Sequence, residues 1–377
     1  MSSTTAERLT DAQARALRMR ALLLGPAPAG GDAPATPGDV VQWFGAMQAQ
    51  DVASGHWSFG VRLPGMTEAD VNQAVLDRRI VRTWPMRGTI HFVPPADAHL
   101  MLDLAGPRVM RGVERRWEFL GIDEAHVRRA ADALAVALAG GRIATRAECL
   151  EILTATGLDS LGQRGYHYLW YASQIGVTVI GPQVSGEQTF TLLDDWVPTP
   201  NRPTREEALA TLTRRYFQSH GPASAKDFAG WADLPMGEVR SAIAGLGAEL
   251  AQVEVDGVSM HLMAQALADP PRAGRVPMVL PGFDEYLLGF KDRRLMASPE
   301  VMAAVIPGGN GIFRSTVVLN GQVKATWKRT VKKARVDVQV LPLGGWRPTA
   351  AVQARLESEF DAFARFLGVP AAVVSYA

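Results

Sequence analysis

The sequence predicts an α+β fold: tandem winged-helix (helix-turn-helix) domains followed by a C-terminal β-rich domain with a terminal helix. Three observations predict it. Segments with helical apolar spacing come in groups, and each group runs into a short β-branched and aromatic stretch broken by a turn signal. Asp256-Gly257 and Asn320-Gly321, residue pairs favoured by type I′ turns, mark two hairpins. From about Val276 strand-like composition takes over, until an amphipathic stretch near the end.

At 377 residues the chain exceeds one ordinary core, and four domains are expected: 1–120, 121–200, 201–270 and 271–377. Hydrophobic residues make up 47% and charged residues 20%, a globular composition. No apolar run approaches the roughly 18 residues that cross a membrane. The first residues lack a basic stretch followed by an apolar one, so a cytoplasmic protein, and a monomer, is expected. Cys149 is the only cysteine, which excludes an internal disulfide and a cysteine-rich zinc site, and its Ala-rich helical setting predicts a spectator thiol.

In order, Leu9 to Leu23 reads as a helix ended by Gly25-Pro26, and Pro26 to Gly38 as a linker. A second helix begins near Asp39. Thr67 and Asp70 form the capped, acidic start of a third, and Ile80 to Val93 reads as a hairpin closed by Pro94-Pro95. Helix, helix, helix, hairpin is the order of a winged helix. The order recurs with helices at Ala125–Leu138, Thr145–Thr154 and Gly165–Gln174, then strands around Val177–Ile180 and Gln188–Leu192. It recurs again with helices capped by Thr204 and Ser224 and opened by Pro235, then a hairpin over Ala251–Leu262. Phe313–Leu319 and Gln322–Trp327 pair across Asn320-Gly321, Val336, Val338 and Val340 alternate as a strand, and Thr349–Leu367 is the closing helix.

Two glutamines in Ala46–Asp51 stand out within apolar surroundings. Residues two apart diverge on a helix but share a face in an extended segment, so Gln48 and Gln50 act together only if the backbone there is extended. Solvated surface amides are the plainer alternative. Asp51 follows as a supporting acid or a cap. Arg87 and His91 share a strand face, either as contacts to nucleic acid, the partner that winged helices favour, or as structural polar groups of the hairpin. Net charge is only +1, but Lys324, Lys328, Arg329, Lys332 and Lys333 form a local basic stripe with no acid among them. It suits phosphate contacts, with Trp327 placed to pack on sugar or base. A sheet edge guarded by lysines is the alternative.

The strongest short catalytic signatures are absent. There is no P-loop, dinucleotide fingerprint, His-Glu-x-x-His or nucleophile elbow, and seven scattered histidines show no metal-ligand spacing, so neither metal nor cofactor is expected. Gly308 to Gly311 reads as a hairpin entry.

Residues 47–51, Arg82 to His91, Leu280 to Arg293 and the Gly321–Lys328 arm together resemble the AlkZ/YcaQ winged-helix DNA glycosylase family. The four blocks stand in the family's order across nearly the whole chain. Gln48-Ala49-Gln50 matches the Gln-apolar-Gln motif of the AlkZ-like branch; YcaQ-like members carry Asp in the last place. The resemblance implies a concave surface for double-stranded DNA, and excision of bulky N7-alkylated purines, including unhooking of interstrand crosslinks. It also implies base excision repair of alkylation damage and self-resistance to genotoxic natural products. Gln48 and Gln50 are then expected to position water and to stabilise positive charge developing on the deoxyribose. No lysine matches a Schiff-base position, so hydrolysis without lyase activity is expected. The competing readings are a non-enzymatic winged-helix regulator and a protein that sequesters damaged DNA or free drug.

Overall fold

A computed structural model describes residues 7–25, 33–268, 271 and 276–377. Residues 26–32 of the expected linker lie outside the described residues. The chain forms two compact units, one made of 1–71 with 209–377 and the other of 72–208. The expected domain 1–120 is therefore divided between them.

The reason lies in pairing that has no local signal. In the first unit, the three-residue strand Glu7–Leu9 pairs in parallel with Leu250–Val255, placing Glu7 beside Val253. Leu250–Val255 and Val258–Met263 form the expected hairpin across Asp256 and Gly257, both with positive φ. The helix Asp11–Ala21, closed by a Thr10–Gln13 capping box, follows the same attachment. Its Arg18 is buried, donates to the Pro222 carbonyl at 2.8 Å and lies 4.0 Å over the Phe290 ring. Helices Arg205–His220, Ala225–Ala232 and Met236–Leu246 precede that hairpin, as their caps predict.

The rest of the first unit is a five-stranded sheet ordered Met278–Leu280, Thr316–Leu319, Gln322–Lys332, Arg335–Pro342 and Ala372–Tyr376. Its last strand is parallel to its neighbour and was not anticipated. The helices Ala350–Phe366 and Val52–Arg62 pack on this sheet around Trp57, Trp327, Phe360 and Phe363. Both indoles donate to the first strand, Trp57 Nε1 to Val279 O at 2.7 Å and Trp327 Nε1 to Leu280 O at 2.9 Å. Gly60 permits the close helix approach, since a Cβ there would lie 2.7 Å from Phe366 Cδ2.

In the second unit, the hairpin Val81–Met86/Thr89–Val93 turns at Arg87-Gly88, both with positive φ. Arg82 pairs with Ile180, which joins this hairpin to Thr178–Ile180/Thr189–Leu192. Two hairpins expected in separate domains thus share one sheet. Helices Glu124–Ala137, Arg146–Ala155 and Gln163–Gln174 match expectation; Ala98–Val109 and Glu114–Leu120 were not anticipated. Cys149 is buried, and burial pushes its thiol up to about 12, as befits a spectator. Among the described residues no helix is long and apolar enough to cross a membrane, and no His/Cys/Asp/Glu group could hold a metal.

Candidate active site

The helix Pro37–Phe44 ends at Gly45, whose φ of 80° turns the chain into a short extended segment. Burial alternates along it. Met47 and Ala49 are 1% and 0% exposed, whereas Gln48 is half-buried and Gln50 exposed. The burial follows a two-residue period, although the strand itself ends at Gln48 and Gln50 lies in a bend. Gln48 Oε1 is occluded and has no hydrogen-bond partner among the described residues.

Asp51 has a structural occupation. It caps the unanticipated helix Val52–Arg62, accepting the Ser54 N–H at 2.7 Å.

Behind the segment, Glu285 Oε1 accepts the Gln48 backbone N–H at 3.2 Å, and Glu285 Oε2 accepts Trp231 Nε1–H at 2.9 Å. His220 Nε2 faces the same oxygen at 3.3 Å, and its Nδ1 lies 2.7 Å from Ser219 Oγ. Burial pushes the His220 imidazole below its ordinary pKa, which favours the neutral ring. The neighbouring Asp284 receives two bonds from buried Arg62, at 2.8 and 2.9 Å, and caps Glu285–Leu288. Glu285 and His220 were not singled out from sequence. The only signal was the Leu280–Arg293 block, because 237 positions separate Glu285 from Gln48.

The other anticipated residues divide by burial. His91 is fully buried: Nδ1–H donates to Thr89 O at 2.9 Å, which leaves Nε2 to accept from Arg87 Nη2 at 2.9 Å. Trp327 is 2% exposed, in edge contacts with Phe360 and Phe363 and with its N–H spent on Leu280. Both are corrected from surface to core positions. The strand period explains Trp327, since Val323, Ala325 and Trp327 face the core while Lys324, Lys328 and Lys332 face away. Arg329 shares the tryptophan's parity and lies 5.6 Å over the Phe363 ring. Lys324 donates to Gln322 Oε1 at 2.9 Å and Lys332 pairs with Asp337, while Lys328 and Lys333 are exposed. Gln322–Lys332 is the third of five strands, but only its Gln322–Thr326 half pairs with Thr316–Leu319; Lys328 and Lys332 lie where it pairs with Arg335–Pro342 alone, so an open edge guarded by lysines stays compatible with the fold.

The chain belongs to the AlkZ-like DNA glycosylase family, whose model, described as DNA glycosylase AlkZ-like, matches residues 41–366. It is similar to the interstrand DNA cross-link repair glycosylase of Streptomyces sahachiroi, with 28% identity over 344 residues, 84% of this chain and 90% of that protein. The solved structure of Streptomyces sahachiroi DNA glycosylase AlkZ matches with a TM-score of 0.83 and 25% identity, over 98% of this chain and 100% of that one.

Proposed function

We propose that this glycosylase excises bulky N7-alkylated purines from double-stranded DNA, including unhooking of interstrand crosslinks, with Gln48 and Gln50 as its catalytic residues. The observation that carries the proposal is the occluded, unpartnered Gln48 Oε1, two residues before the exposed Gln50. An orphaned buried carbonyl costs about 1–3 kcal/mol, which a hydrogen bond from the attacking water would relieve.

N7 alkylation makes the purine cationic. When the C1′–N9 bond breaks, the base takes the bonding pair and departs neutral, so little general-acid help is needed. The deoxyribose becomes oxocarbenium-like, and water attacks C1′ and loses its proton to solvent. Carboxamide oxygens accept hydrogen bonds from that water and turn the negative ends of their dipoles toward the sugar. This chemistry requires neither metal nor cofactor, and in the cell it belongs to base excision repair of alkylation damage.

The three helix–hairpin groups act as winged helices in this reading, and Lys324, Lys328, Lys332 and Lys333 contact phosphates. Time-resolved release of modified purine from duplexes carrying N7-alkylguanine, as monoadducts and as crosslinks, tests the proposal. Gln48→Ala and Gln50→Ala should each slow release by about 100- to 1,000-fold, the range for removing a preorganised polar group. Release indifferent to both substitutions would refute the assigned mechanism.

A further inference from the structure

Glu285 joins three segments far apart in sequence. Its carboxylate takes the backbone N–H of Gln48, the indole N–H of Trp231 and the imidazole of His220, while the side chain is only 2% exposed. Each partner is itself held. Trp231 is 1% exposed. His220 stacks on Tyr216 with ring centroids 4.6 Å apart and an interplanar angle of 11°. Gly289 closes the other side, since a Cβ there would lie 2.2 Å from His220 Cδ2. The carboxylate therefore has little freedom to follow a movement of the glutamine segment.

A backbone N–H on so short a strand needs only water to be satisfied. Here it is held by a buried acid whose other oxygen is held by Trp231, an arrangement that costs desolvation and fixes position. We propose that Glu285 is a positioning residue for glycosidic-bond hydrolysis, anchoring the Gln48 backbone so that its carboxamide is presented at the reacting angle. The inference rests on the assignment of Gln48 as catalytic. Glu285 acts through Gln48 and touches neither DNA nor water at the sugar.

Misplacing a catalytic group by 1 Å costs about 100-fold in rate, so an anchor can matter as much as the group it holds. Glu285→Gln keeps the volume but turns an amide NH2 toward one of the donors. The test is single-turnover release of 7-methylguanine from a methylated duplex by wild type, Glu285→Gln, Gln48→Ala and the double variant, with duplex affinity and thermal melting measured on each. Glu285→Gln should lose about 10- to 100-fold in rate, the equivalent of one hydrogen bond to a charged group, with affinity unchanged. The double variant should be no slower than Gln48→Ala.

A folded Glu285→Gln protein within about threefold of the wild-type rate would overturn the proposal, as would an equal loss with and without Gln48. Should Glu285→Gln lack a cooperative melt, Trp231→Phe removes one donor to the carboxylate and keeps an aromatic ring. Its loss should be about 3- to 10-fold and vanish in the Gln48→Ala background, and a loss persisting there would overturn the proposal equally. An unchanged rate in Gln48→Ala alone would instead refute the glutamine assignment, so the two failures are distinguishable.

Discussion

Three adjacent polar residues show how backbone context divides labour. Gln48 ends the short strand Met47–Gln48, Gln50 follows at a bend, and Asp51 caps the next helix. Asp51→Ala should therefore lower stability by about 1 kcal/mol, the usual cost of a lost N-cap, while Asp51→Asn should restore most of it. Both variants should retain base release well above that of Gln48→Ala. A rate for Asp51→Asn as low as that of Gln48→Ala would return the aspartate to the catalytic group. The alternation around the glutamines was legible because Met47 and Ala49 are apolar and their neighbours are amides. Glu285 was illegible for the opposite reason: an acid reads as surface until the contact that buries it is known.

At the scale of the element, Gln322–Lys332 presents two chemistries on one strand. Its even-numbered lysines point away from the core, and Trp327 on the other face ties the sheet to Ala350–Phe366. Trp327→Ala should cost about 3–5 kcal/mol, the range for emptying a buried aromatic site, seen as a lower denaturation midpoint. Lys328→Ala should leave stability unchanged and reduce the salt dependence of duplex binding by about 0.9 in log–log slope, one phosphate contact. A wild-type slope would remove Lys328 from the interface. The two faces could have been separated from sequence by applying the two-residue period along the stripe, because lysines at 324, 328 and 332 and a tryptophan at 327 differ in parity. Val52–Arg62 was harder to see. Gly55 and Gly60 lower its helix propensity, and only packing of Gly60 on Phe366 shows why a glycine is needed there.

At the scale of the whole molecule, the first unit is assembled from both ends of the chain, so its stability depends on buried polar junctions between distant segments. The sign of its pH dependence follows. Burial lowers the His220 imidazole from its ordinary 6.5, so the unfolded chain takes up a proton more readily than the folded one. That contribution is fully present above pH 6.5 and is lost as pH falls toward the folded value. The capping acids Asp39 in this unit and Glu148 and Glu207 in the other are held below their ordinary 3.8–4.5 by hydrogen bonds from Thr36, Thr145 and Thr204, so their contributions are lost only in more acid solution. Melting temperature should thus be level from about pH 8 to 7, decline gently below about 6.5 and fall steeply below about 4.5. Thermal melts across that range check the order. A melting temperature that rises on acidification from about pH 6.5 to 5 would mean that His220 charges within the fold against Glu285, and the brace behind Gln48 would then be an ion pair instead of a carboxylate held by neutral donors.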